Sequence, residues 1–179
     1  MIIRKCLKNF VDYFLSKCYN NIEPVFQFPI IMQKGGTRLV YSAVELSKYI
    51  VTKCVHDECP ISNLQLQKIL YYIQKEYLAK NSQVFFEDIE AWQFGPVVPE
   101  AYYRFCGFGA MPITLTYDNV VIDVADKCII DPIVESKRAM NPWDLVDDTH
   151  KPNGAWSQIY QNGRGNHKII PVSLIKAVG

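Results

Sequence analysis

No stretch of this chain stays apolar for the roughly 18 residues that a membrane-spanning helix needs, because charged or amide side chains interrupt every candidate window. An excess of one charge is missing too. The 19 lysines and arginines are balanced by 18 aspartates and glutamates, so no net field draws the molecule toward nucleic acid or an anionic lipid surface. Arg164, His167 and Lys168 form its one tight basic group, narrower than the stripe that a phosphate backbone requires. The cysteines, Cys6, Cys18, Cys54, Cys59, Cys106 and Cys128, show no repeated C-x-x-C spacing. That pattern argues against a disulfide scaffold and points to reduced thiols in the cytoplasm. Cys54, His56 and Cys59 lie close together in CVHDECP, but no second ligand pair follows, so a helix end and loop is expected there rather than a metal site. The chain also lacks a Gly-x-Ser-x-Gly elbow, a His-Glu-x-x-His pair and a phosphate loop; NGRGN, residues 162–166, has neither the spacing nor the lysine. Neither metal nor cofactor is expected.

What remains is ample material for one core. Hydrophobic residues make up 49% of 179 positions, enough for a single compact domain and too few positions for two comfortable ones. Ile3, Leu7, Phe10, Phe14 and Cys18 recur at steps of three and four, which predicts an amphipathic amino-terminal helix. EPVFQFPI and MQKGGTRL then read as an extended passage and a linker. The organisation expected is an extension over residues 1–41 and a domain over 42–179. Two readings of the extension stand, a docking arm on a linker or a dispensable leader before a start at Met32.

From Ser42 onward the helix signals are explicit. SAVE and SNLQ are capping boxes, with Ser42 paired to Glu45 and Ser62 to Gln65. The first opens a helix with Leu46, Ile50, Val51 and Cys54 on one face. The second opens a helix whose stripe is Leu66, Ile69, Leu70, Ile73 and Tyr77, with Lys68, Lys75 and Glu76 assigned to wetter faces. Asn81 tolerates the left-handed conformation that ends a helix, and QVFFEDIEAWQF alternates as an extended piece. In EAWQFGPVVPEAYYRF, residues 90–105, Gly95 and Pro96 turn the chain and Pro99 starts a third helix that carries Tyr102, Tyr103 and Phe105. Beyond Gly109, residues 112–116 and 120–124 read as short strands from their β-branched content, with a turn at Asp126 and Lys127. Asp131–Pro132 and Asn141–Pro142 each read as the start of a short helix, and Pro171 as the start of the last one. The fold class expected is mainly α with a small β component.

The block LQLQKILYYIQKEYLAKNSQVFFEDIEAWQFGPVVPEAYYRF resembles the signature of the Panacea antitoxin domain, the SocA-like or phage-associated GepA family, in its L-Q-K-x-L-Y-Y opening and its A-W-x-x-G-P-V-V-P-E close. NPWDLVDDTHKPNGAWSQIY, residues 141–160, resembles the same family's second block, with Thr149, His150 and Trp156 at its centre. The first 41 residues fall outside the resemblance, and PITLTYDNVVIDVADKCII is more strand-like than the family implies. The resemblance implies an antitoxin that neutralises a protein toxin, commonly an inhibitor of translation or nucleotide metabolism, encoded by a neighbouring gene. The resemblance includes a SocA-like member that delivers its toxin to a ClpXP-type protease; blocking by direct contact and delivery for degradation both stay open here.

Three functions are therefore compared. The first is a partner-binding antitoxin, with Trp92, Tyr102, Tyr103, Arg104, His150 and Trp156 as candidate contact residues, since tryptophan, tyrosine and arginine are favoured at protein interfaces. The second is a phage or prophage inhibitor of a host defence nuclease. The third is an enzyme using Asp147 and His150, a carboxylate and an imidazole close in sequence. The absence of an assembled catalytic set favours the first, with no enzymatic activity, no membrane and no nucleic acid among the expected partners.

Overall fold

The computed structural model describes residues 40–179, which form one unit; the expected amino-terminal helix and linker lie outside the described residues. Seven α-helices and a small antiparallel sheet make up this region: α1 (Ala43–His56), α2 (Asn63–Ala79), β1 (Glu90–Trp92), β2 (Gly95–Val97), α3 (Pro99–Phe105), α4 (Val124–Arg138), α5 (Pro142–Thr149), α6 (Ala155–Tyr160), β3 (Lys168–Ile169) and α7 (Val172–Val178). The architecture is mainly α with a small β component.

Both capping boxes form. Ser42 and Ser62 each accept from the backbone three residues on, and Glu45 and Gln65 reach back to the cap amides, so two orphan donors are satisfied at each helix start. Leu46, Ile50, Val51 and Cys54 of α1 and Leu66, Ile69, Leu70, Ile73 and Tyr77 of α2 are all buried. Helix α2 is the axis of the domain, packed against α1, α3, α4, α5, α7 and β2. Surrounded in this way, it buries more than one stripe: Gln67, Lys68 and Gln74 are buried as well. The assignment of Lys68 to a wet face is corrected, because β2 and α5 cover the side of α2 from which it projects.

The sheet order is β2-β1-β3, with Glu90 opposite Val97, Trp92 opposite Gly95, and Glu90 opposite Ile169. Asn81 ends α2 at φ 59° and Gly95 turns at φ 106°, as their positions predict, and Pro99 sits at the first turn of α3. The stretch after Gly109 departs from expectation. Among the described residues neither 112–116 nor 120–124 is a strand; one isolated bridge joins Ser62 to Pro112. Residues 113–123 instead run without a helix or strand, anchored where Ile113 donates its amide to the Ile61 carbonyl and Tyr117 donates its amide to the Thr52 hydroxyl. Helix α4 begins earlier than expected, at the Asp123 cap, whose carboxylate accepts from the Ala125 amide. Asp126 and Lys127 are therefore helical rather than a turn, and Pro132 lies inside α4 rather than at its start. Asp131 takes a tertiary role, accepting from the Tyr49 hydroxyl at 2.7 Å. Cys54, Cys106 and Cys128 are free thiols; Cys59 is disulfide-bonded, which departs from the reading of all six as reduced. Among the described residues no helix is long and apolar enough to cross a membrane, and no three His, Cys, Asp or Glu side chains gather as metal ligands do.

Candidate partner-binding surface and the buried lysine behind it

Among the described residues no further strand flanks the outer edge of the hairpin formed by β1 and β2, so its backbone groups need other partners. Side chains of α2 provide them. Gln67 accepts from the Val98 amide at 3.0 Å through its Oε1, and its Nε2 donates to Asn63 Oδ1 at 3.0 Å. Asn63 in turn donates to the Tyr102 carbonyl at 3.1 Å, tying α3 to the same network. Lys68 Nζ donates to the Pro96 carbonyl at 3.2 Å. One turn and a half further along, Gln74 accepts from the Val84 amide and donates to the Phe85 carbonyl, both at 3.0 Å. Polar side chains of the central helix thus satisfy the extended chain on both sides of the corner.

Lys68 is the unusual member. It is completely buried, and among the described residues it forms no salt bridge, the Pro96 carbonyl being its hydrogen-bond partner. Burial alone pushes its pKa down to about 7. Its surroundings are tight: a Cβ placed on Gly95 would stand 2.6 Å from Lys68 Nζ and 2.7 Å from Thr149 Oγ1. Gly95 is thus required twice, by its positive φ and by the side chains that converge on it.

Two aromatic groups stand in front of this corner. In the first, Trp92 packs against Tyr102 at 4.8 Å between ring centroids, Tyr103 at 6.2 Å and His167 at 4.5 Å. The Trp92 indole N–H donates to Glu90 Oε2 at 2.7 Å. In the second, His150 stacks flat on Trp156 at 3.6 Å, and Trp156 stacks on Tyr160 at 4.5 Å. One bond joins the two groups, from Trp156 Nε1 to the Trp92 carbonyl at 2.8 Å. Five of the six candidate contact residues therefore belong to one connected arrangement. Arg104 does not: it turns to Tyr117, donating to its hydroxyl at 3.3 Å and lying over its ring. Tyr103 is 64% exposed, whereas Trp156 is 8% exposed, so the former is offered to solvent and the latter supports the corner from behind. At the hairpin tip Phe94 meets Trp143 edge to face at 5.7 Å, and both are largely exposed.

Asp147 lies in the last turn of α5 and His150 caps its end. No side-chain hydrogen bond joins them among the described residues, and the buried His150 Nε2 has no hydrogen-bond partner. Burial, followed by the Lys68 charge, lowers the His150 pKa, against a weaker opposing pull from Asp147. The neighbouring carboxylate is the engaged one. Burial alone would raise Asp148, but hydrogen bonds from Lys151, Tyr72 and Lys137 outweigh it and hold the group well below the usual carboxylate range. Gln67, Lys68 and Gln74 were not singled out from the sequence. The signal was present in α2 itself, where apolar or aromatic side chains at 66, 69–73, 77 and 78 surround the helix and leave little room for a wet face.

The profile described as Antitoxin SocA-like, Panacea domain matches residues 66–157. The chain belongs to the SocA-like Panacea family. It is also similar to "Antitoxin SocA" of Caulobacter vibrioides (strain NA1000 / CB15N), with 28% identity over 135 residues, 68% of this chain and 71% of the relative. No solved structure gives a significant match. The Panacea segment opens inside α2 and closes just past Trp156, so it contains Lys68, the hairpin, α3, Thr149 and His150. Tyr160, His167 and β3, which flank the aromatic surface, lie outside it.

Proposed function

We propose that this protein is an antitoxin that neutralises a cognate protein toxin in the cytoplasm by binding it directly, through the surface around Trp92, Tyr102 and Tyr103. Membership of the antitoxin family carries this reading, because the matched segment 66–157 holds the whole corner on which that surface is built. The geometry supports it. Tyr103 is exposed on a short helix, and its neighbour Trp92 is fixed by hydrogen bonds at both its indole and its carbonyl. A rigid aromatic side chain on a fixed scaffold loses little entropy on binding, the property that makes such residues interface anchors. The part of the expected extension that precedes Val40 belongs to the same proposal as an arm that adds toxin-specific contacts, whereas Tyr41 packs in the core of the domain.

The toxin is sought in the neighbouring gene. Induction of that gene with and without this chain tests the proposal, and the same assay in a host lacking the ClpXP protease separates two mechanisms. Rescue that persists without the protease supports direct neutralisation; rescue that vanishes replaces it with delivery for degradation. A neighbour that is harmless, or toxic and not rescued, moves the assignment to a stand-alone phage inhibitor of a host defence nuclease.

A further inference from the structure

Lys68 occupies a position where an alkyl side chain of equal length would fill the space without the cost of burying an amine. What the lysine adds is a donor aimed at the carbonyl of Pro96 in β2, the outer strand of the hairpin among the described residues. From that point the contacts close into a ring. Pro96 follows Gly95, which pairs with Trp92 across the hairpin. The Trp92 carbonyl accepts from Trp156, and Trp156 lies under the ring of His150. His150 follows Thr149, whose side chain, its hydroxyl donating to the Val146 carbonyl at 2.8 Å, packs close beside Gly95 and the Lys68 amine. The ionisable groups bearing on this ring are Lys68 of α2, Asp147 of α5, His150 at the end of α5, Glu90 and His167 against Trp92, and Tyr160 against Trp156; β2 presents backbone.

We propose that Lys68 is a positioning residue for the partner-binding face: its amine, donating to the Pro96 carbonyl where the end of α5 packs against Gly95, fixes the hairpin to α2 and so holds Trp92 and Trp156 in register. The proposal rests on the antitoxin reading for the identity of the partner, and on the ring of contacts for the role of Lys68. Lysine at this position sacrifices stability for geometry, so the two should separate on mutation.

The test compares the full chain with Lys68→Met and with Lys75→Met, a control on the half-buried side of the same helix. Melting curves, the indole N–H signals of Trp92 and Trp156 by NMR, and rescue from the product of the neighbouring gene are recorded for each. The expected result is a Lys68→Met chain that melts no lower than the parent, shows displaced indole signals, and rescues at least about tenfold less well, equivalent to the loss of one strong contact. Lys75→Met should match the parent throughout. A side chain that served stability alone would lower the melting temperature and the rescue together, and that result overturns the proposal. Unmoved indole signals in a folded Lys68→Met chain also overturn it. Lys68→Leu is measured if the methionine variant aggregates; unfolding of both shows that Lys68 supports the whole fold and likewise overturns the positioning role. A parent that fails to rescue, with indoles that still respond to Lys68→Met, contradicts the antitoxin reading and leaves the positioning role standing.

Discussion

Burying the Lys68 amine without a carboxylate makes its charged form costly, and the folded protein holds the pKa down to about 7 against roughly 10.4 in an unfolded chain. The consequence for stability has a definite sign. Above about pH 7 the unfolded chain binds the proton and the folded chain does not, so folding becomes more favourable as pH rises toward the unfolded pKa. The gain is lost as pH falls to 7, and below that both states are protonated and the contribution is flat. Summed over the window it is on the order of 3–5 kcal/mol. Denaturant melts of the parent between about pH 7 and 8.5 should show this slope, and Lys68→Met should lack it while being the more stable chain at pH 7, by about 1–4 kcal/mol. The upper limit keeps clear of Cys54, which burial pushes up to about 11 and which bends the profile the other way once unfolded thiols ionise. His150, also lowered by burial and by Lys68, adds stability that is lost as pH falls below the unfolded value of about 6.5. If Asp147 and His150 were instead catalytic, His150→Ala would abolish activity in a folded chain; the present reading expects it to neutralise the toxin once melting confirms the fold.

At the scale of elements, the corner between β2 and α3 is the least forgiving part of the structure. Gly95→Ala meets both a positive φ and two side chains within 3 Å, and the expected loss is about 1–3 kcal/mol from the backbone alone, visible as a fall in melting temperature. Trp156→Phe keeps the stack under His150 and removes the donor to the Trp92 carbonyl; losing that part-buried hydrogen bond costs about 0.5–1.5 kcal/mol. In α4, Pro132 leaves the Cys128 carbonyl without its helical donor. Pro132→Ala should therefore stabilise the protein, by up to about 3 kcal/mol, measured as a higher denaturant midpoint. The same elements show what local sequence conveys. Capping boxes at Ser42 and Ser62, the stripe of α2 and the Gly95 corner depend on neighbours within a few residues, and each was legible. Lys68 was legible only in part: the apolar and aromatic positions around α2 leave little room for a wet face, but β2 and α5, which cover it, come from far along the sequence. Pro132 misled for a related reason: proline is tolerated at a first helical position, and only the earlier cap at Asp123 shows that the helix had already begun.

In the described domain, Trp92, Tyr102 and Tyr103 sit on a frame held by the buried helix α2. Tyr103, 64% exposed, is predicted to contribute to binding rather than to folding. Tyr103→Ala should change stability by no more than about 0.5 kcal/mol and weaken toxin binding by about 2 kcal/mol, read by titration calorimetry once the toxin is in hand. Arg104, turned toward Tyr117, should show little effect on binding. The candidate surface was legible as a set of residue types; its division into an exposed contact residue, a fixed supporting pair and an unrelated arginine required the tertiary arrangement. Deleting residues 1–31 tests the arm, and undiminished neutralisation would remove it from the account. The central claim is tested most directly by colony survival when the neighbouring gene is induced alone, with this chain, and with its Tyr103→Ala variant. Rescue by the parent and its loss in the folded variant is the predicted result; a toxic neighbour that the parent cannot rescue, or equal rescue by both chains, would contradict neutralisation through this surface.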